Sequence, residues 1–306
     1  MVDERRGRHA TRLFLCALAL ALVGTGFATK GHEGGAAASP IAVPAAPADA
    51  TVTSAPAPAP APAPPSTPAT NPPPLVPGRT APVVLVVGDS IAESVASVMT
   101  DTAAPSGVQV INGAMEGCGV MAGSPLHYVG HEQPQPDGCD DWPQRWQDLV
   151  DTNVPDVAVL MVGRWEVVDR VVAGDWHAIG DPVFDADLTG RLEQAVQILT
   201  SRGATVVVTT APYYLRAVPP DGGLYPEDEP SRADAFNAMV RALATRHPGQ
   251  VTIADFGALL DPDGVYTDEV GGVRVRRDGV HLTAEGCSMA ADWLLSQVLA
   301  SVRPTA

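Results

Sequence analysis

Val83-Val84-Leu85-Val86-Val87-Gly88-Asp89-Ser90-Ile91 sets five consecutive aliphatic residues against an abrupt glycine, acid and serine. A continuous apolar run of this length suits a strand covered on both faces. The residues that follow predict a helix over 91–100, so Ser90 falls where a strand ends and a helix N-terminus begins. Backbone N–H groups are exposed there, and charge developing on a reacting oxygen can be met by preorganised donors. Four further β-branched runs lie downstream: Val108 to Ile111, Val157 to Met161, Thr205 to Thr209 and Val251 to Ala254. Helical patterns separate them. Leu188, Leu192, Val196 and Leu199 share a face that stops at Gly203, and Ala233, Phe236, Val240 and Leu243 share one that stops at His247-Pro248-Gly249. A last helix starts with Thr283 as N-cap and carries Met289, Trp293 and Leu294 inward. Alternating strands and helices predict an α/β fold, with a central five-stranded parallel sheet, helices on both faces and a ligand site beyond the carboxyl ends of the strands.

Composition divides the chain upstream of this body. Of 306 residues, 19 are Lys or Arg and 35 are Asp or Glu, a formal net charge of −16, and only one of the basic residues is Lys. Scattered Arg on an acidic chain excludes a nucleic-acid binder, which needs clustered positive charge. Half of the 30 prolines lie between Pro40 and Pro82. Residues 1–30 carry Arg5, Arg6, Arg8 and Arg12 before an apolar run from Leu13 to Ala28, with Gly26-Phe27-Ala28 as a small-x-small cleavage site. They read as a signal peptide or an uncleaved signal anchor, which would be the only membrane contact. Residues 31–82, rich in Ala and Pro, read as a disordered linker or an extended stalk of roughly 3.1 Å per residue. Residues 83–306 form the folded domain, where 13 Arg face 31 acidic residues. The expected location is secreted or cell-envelope associated, outside the cytoplasmic membrane.

Cys16 belongs to the signal, leaving Cys118, Cys139 and Cys287. Cys118 and Cys139 lie in one long connection from Gly113 to Pro155, and in an exported domain they predict a disulfide that clamps it. Cys287 reads as a small buried side chain. The spacing of Cys and His offers no metal site, and no cofactor is implied.

A serine hydroxyl is inert near neutral pH without a base, and one histidine has suitable company. Asp278-Gly279-Val280-His281 follows the last strand candidate and precedes the last helix. A loop there brings both side chains to the sheet edge that carries Ser90. The carboxylate accepts from one ring nitrogen while the other nitrogen faces the serine.

At these residues the chain resembles the SGNH superfamily of GDSL-type esterases and hydrolases. The resemblance implies a three-layer flavodoxin-like fold, with Ser90 as nucleophile, His281 as base and Asp278 as third member. Ile111-Asn112-Gly113-Ala114-Met115-Glu116-Gly117-Cys118 is similar to the family's second block, and implies Gly117, or alternatively Gly113, as an oxyanion-hole donor beside the Ser90 N–H. The third block departs from the pattern. The family has Gly-x-Asn-Asp, and this chain has Gly163-Arg164-Trp165-Glu166, so Trp165 stands where a donating Asn is expected. Arg164 is the candidate replacement donor, and Arg164 and Trp165 are the candidate substrate-binding residues; a structural Arg164–Glu166 pair is the competing reading. This third block resembles that of SGNH domains associated with acyltransferase-3 membrane proteins, which O-acylate envelope glycans. The cysteine after the second-block glycine, paired with a later one, fits the same subset.

The resemblance implies a serine esterase acting on O-acyl groups, O-acetyl first among them, of cell-envelope glycans or on another ester. The alternatives are an O-acyltransferase working with a separate acyltransferase-3 protein, and a non-catalytic envelope-binding module. Trp142 and Trp146, four apart before Leu149 and Val150, read as helix packing rather than as sugar-stacking residues.

Overall fold

A computed structural model describes Arg79 and residues 81–301. The signal segment 1–30 with Cys16, and nearly all of the linker 31–82, lie outside the described residues. In chain order the elements are β1 (Val83–Gly88), α1 (Ser90–Ala103), β2 (Gln109–Asn112), β3 (Leu126–Tyr128), β4 (His131–Gln133), α2 (Trp142–Asn153), β5 (Val157–Met161), β6 (Arg170–Val172) and β7 (Asp175–His177). They continue with α3 (Pro182–Thr200), β8 (Thr205–Thr209), α4 (Pro230–Arg246), β9 (Val251–Ala254), α5 (Phe256–Leu260), β10 (Glu269–Val270), β11 (Val273–Arg274) and α6 (Ala284–Ser301).

Five strands form one parallel sheet in the order β2-β1-β5-β8-β9. These are the five apolar runs of the sequence. β1, β5 and β8 are buried along their whole length because helices cover both faces: α1 packs on α6, and α2 and α4 both pack on α3. The expected helix faces are inside, including Leu188, Leu192, Val196 and Leu199 of α3 and Ala233, Phe236, Val240 and Leu243 of α4. Trp142 and Trp146 are buried with ring centroids 4.6 Å apart, and the Trp142 indole donates to Val120 O at 2.9 Å, so both serve packing. In α6 the Thr283 Oγ1 accepts from Gly286 N at 3.0 Å, as an N-cap should. Of the residues expected inside, Leu294 is buried together with Ala290, Ala291 and Val298, whereas Met289 and Trp293 are half-buried at the margin of that face. Cys287 is buried and unpaired.

Arg79 already grips the body, donating to Asn153 O and Val154 O at the end of α2 at 2.8 and 2.6 Å and pairing with Asp156 at 3.3 Å. A cation there satisfies carbonyls that the helix leaves open.

A second sheet was not expected from sequence. β4-β3-β6-β7 form a small antiparallel sheet, assembled from the connection after β2 and the connection after β5. Its strands have three residues each, too short for alternation to show, and mix apolar with charged residues. Cys118 and Cys139 are joined, closing the segment that contains β3 and β4. Replacing both cysteines by Ala should lower the free energy of unfolding by about 3 kcal/mol in denaturant titrations, because the bridge removes loop freedom from the unfolded chain. An unchanged midpoint would show that the loop is held by its other contacts.

Candidate active site

The carboxyl ends of β1, β2, β5 and β8 open onto one rim. β1 stops at Gly88, whose φ of +147° and whose position leave no room for a side chain: a Cβ there would lie 1.8 Å from Met161 O on β5. Asp89 follows as N-cap of α1, its Oδ1 accepting from Ile91 N at 2.9 Å, and Ser90 is the first helical residue. The α1 N-terminus therefore starts directly beneath the serine.

Across the rim, the loop before α6 turns through Gly279 at φ +79°, where a Cβ would stand 1.7 Å from Leu215 O. Gly279 O accepts from Leu215 N at 3.0 Å, and Arg277 N donates to His281 O at 2.9 Å. Within this turn Asp278 Oδ1 accepts from the backbone N–H of Val280 and His281 at 3.2 and 2.8 Å. Asp278 Oδ2 meets His281 Nδ1 at 2.8 Å, and His281 Nε2 meets Ser90 Oγ at 3.0 Å. A tautomer with the proton on Nδ1 donates to the carboxylate and leaves Nε2 to accept from the hydroxyl. Burial pushes the Asp278 carboxyl up, but the bonds from the His281 side chain and backbone outweigh it and hold the group below the usual carboxylate range.

The second-block loop is tied to the same turn: Met115 N donates to Gly88 O at 2.8 Å. Gly117 lies in this loop at φ +77°, next to the bridged Cys118. Gly113, the alternative donor, is corrected: its N–H is spent on Val86 O at 2.8 Å, continuing the sheet ladder, so it has no proton to offer an oxyanion.

The third block requires a larger correction. Arg164 is buried. Its Nη1 donates to Asp228 Oδ1 at 2.6 Å and to Glu227 O at 2.9 Å, and its guanidinium lies 5.0 and 4.9 Å from the ring centres of Tyr128 and Tyr214. Only Nη1 is engaged in this way, and with 2% of the residue exposed Arg164 stands in the interior rather than as the solvent-facing donor or substrate contact expected from sequence. The Arg164–Glu166 pair is absent as well. Glu166, fully buried, instead accepts from Val120 N and Gly163 N at 2.7 Å each and so clamps the second block to the third. Burial raises the Glu166 carboxyl above its ordinary value, against the Val120 N–H and the Arg170 cation, which lower it. Trp165 is half-buried, 5.1 Å from the Tyr128 ring, and its carbonyl takes Arg170 Nη2 at 2.6 Å.

Two residues at the site, Arg216 and Asp228, were missed in the sequence, and a third, Glu166, was read there only as a partner for Arg164. Arg216 lies 2.9 Å from Asp278 Oδ2. Asp228 and Glu166 hold the scaffold around it. Only Glu166 had a local cue, since it occupies the acidic position of the third block.

A family model described as "SGNH domain (fused to AT3 domains)" matches residues 61–295. No curated protein matches by sequence. Among solved structures, a GDSL-like lipase from Bacteroides thetaiotaomicron shares 15% identity over 72% of this chain and 88% of its own, with a TM-score of 0.49. An acetyl xylan esterase shares 17% over 71% and 99%, with a TM-score of 0.47. A member of the lipolytic G-D-S-L family from Veillonella parvula shares 16% over 70% and 96%, with a TM-score of 0.45.

Burial, followed by the neighbouring charge of Glu166, pushes the Asp89 carboxyl from 3.8 up to about 7. In the unfolded chain it ionises at its ordinary value, so between pH 3.8 and about 7 the native state holds a proton that the unfolded state has released. Its contribution is complete below this window and is lost as the pH rises through it. Asp89→Asn, which keeps a capping oxygen, should remove the Asp89 part of this decline and be the more stable form near pH 8. Unfolding curves taken from pH 4 to 8 check it, and a slope unchanged by the substitution would contradict the assignment.

Proposed function

This chain belongs to the SGNH domain family, and on that footing we propose that it is an exported serine esterase acting on O-acyl groups, O-acetyl first among them, of cell-envelope glycans. The observation that carries this reading is the continuous contact from Ser90 Oγ through His281 to Asp278, with separations of 3.0 and 2.8 Å.

His281 Nε2 takes the Ser90 proton as Oγ bonds to the ester carbonyl carbon. The carbonyl π electrons move onto oxygen, and the resulting negative charge faces the backbone N–H of Ser90 and of Gly117 as the two donors of the oxyanion hole. Collapse of this intermediate breaks the bond to the sugar oxygen, which leaves with the proton from His281, and an acyl-serine remains. Water, deprotonated by His281, releases the acid and restores the hydroxyl. Asp278 holds the imidazole in the required tautomer and stabilises its charged form. With Trp165 in place of the third-block Asn, the hole has one donor fewer than the family pattern, a difference of about 3 kcal/mol in transition-state stabilisation. Trp165, in the turn after β5, is the proposed contact for a sugar face.

The family description favours one second reading. Its members include SGNH domains fused to AT3 domains, and a sugar hydroxyl in place of water would make the same acyl-serine an O-acyltransferase intermediate, with a separate membrane acyltransferase-3 protein as partner. Export is supported by the Arg-rich apolar N-terminal segment and by the Cys118–Cys139 bridge, which suits an oxidising compartment.

p-Nitrophenyl acetate should be hydrolysed with burst kinetics, and Ser90→Ala should reduce kcat by at least about a thousandfold while leaving the thermal midpoint nearly unchanged. Ser90-independent turnover would refute the assignment. An acylated product formed on added glycan at the expense of free acetate would select the transferase.

A further inference from the structure

Asp278 serves two cations besides the imidazole. Its Oδ2, the oxygen that meets His281 Nδ1, lies 2.9 Å from Arg216 Nη1 and 3.9 Å from Arg277 Nε. Arg277 is exposed, whereas Arg216, with 36% of its side chain exposed, is anchored through its own backbone. Arg216 N donates to Asp228 Oδ2 at 2.8 Å, and the other oxygen of Asp228 is the one that takes Arg164 Nη1 at 2.6 Å. Arg164 and Asp228 are both buried, and the neighbouring Leu215 N–Gly279 O bond fixes the same segment against the Asp278 turn. A chain of contacts thus runs from Arg164 to Asp228, Arg216, Asp278, His281 and Ser90, with no link longer than 3.0 Å.

We propose that Arg216 is a positioning residue for the Asp278–His281 pair, set in place by the buried Arg164–Asp228 pair, and that it tunes the base by sharing the carboxylate oxygen with the imidazole. The inference rests on the Ser90–His281–Asp278 reading above. Two effects follow from one contact. The guanidinium and the two backbone N–H groups leave the carboxylate a single orientation, so the imidazole points at the serine without an ordering cost at each turnover. The cation also offsets part of the carboxylate's negative field, so an imidazolium formed beside it is less stabilised and returns its proton more readily to the leaving group. The charged and titratable groups facing the pair are Arg216 from the loop after β8 and Arg277 from the turn itself, with the Ser90 hydroxyl opposite. Arg164, which a local reading places at the substrate, here acts on the triad from the interior.

The test follows the His281 ring by NMR through a pH titration of the full chain and of Arg216→Ala and Arg216→Lys, alongside ester kinetics. In Arg216→Ala the titration midpoint of the ring should rise by about half a pH unit, the acid limb of the rate profile should move with it, and kcat should fall roughly tenfold with KM within about twofold. Arg216→Lys keeps the charge and should leave the midpoint in place while recovering only part of kcat. Arg164→Met should lower kcat without adding to the loss in Arg216→Ala when the two are combined. A midpoint unmoved in Arg216→Ala, or equally moved in Arg216→Lys, would overturn the proposal, as would additive losses in the double variant. If Arg164→Met does not fold, the two Arg216 variants decide the matter, since their side chain is at the surface. Loss of the esterase reading would show separately, as absence of Ser90-dependent turnover, with the His281 titration still deciding the role of Arg216.

Discussion

The contact between Ser90 Oγ and His281 Nε2, across 191 residues of chain, is the constraint that organises the rest of this structure. A hydroxyl has no useful nucleophilicity unless a base stands within hydrogen-bond reach, and an imidazole cannot stand there unless both backbones are held to within a fraction of an ångström. Each side is held by a close approach that excludes a side chain. Gly88 brings β1 against Met161 O just before the serine, and Gly279 brings the histidine loop against Leu215 O. The parallel sheet does the coarse work of presenting all these turns on one rim.

Beneath that rim lie several ionisable groups that the chain has sealed from water. Asp89, Glu166, Arg164 and Arg170 are each nearly inaccessible, and burying a charge is costly unless it is closely matched. The matching is specific. Glu166 takes two backbone N–H groups from different blocks, Arg170 takes the Met121 and Trp165 carbonyls, and Arg164 takes Asp228 while its flat face lies on two tyrosine rings. Asp89, pushed up by burial and by the charge of Glu166, holds its proton to about pH 7. The departures of the third block from its family pattern are therefore structural in effect: Glu166 joins two loops, and Arg164 braces a third.

The existence of β1, β2, β5, β8 and β9, and their ends to within a residue, were legible because each is a run of mostly apolar, β-branched residues long enough to stand out from its surroundings; their order across the sheet was not. The antiparallel sheet of β3, β4, β6 and β7 was not, since three residues such as His131–Gln133 carry no periodicity and pair only through distant partners. Ser90, Asp278, His281 and the Cys118–Cys139 pair could be named in advance because each sits in a short motif or a closed count of residue types. Arg216 and Asp228 belong to no motif, and nothing near them in the chain marks them as neighbours of Asp278 and His281.

What the chain determines locally is where elements begin and end and which side chains stand at those ends. Caps and apolar runs act within a few residues, so Thr283 before α6 can be read directly. The direction in which a side chain points is settled by packing between segments that are remote in sequence. Arg164 shows the difference: its position after β5 suggests a rim residue, and only the arrival of Asp228, Tyr128 and Tyr214 from other parts of the chain gives its charge a better partner inside than water provides outside.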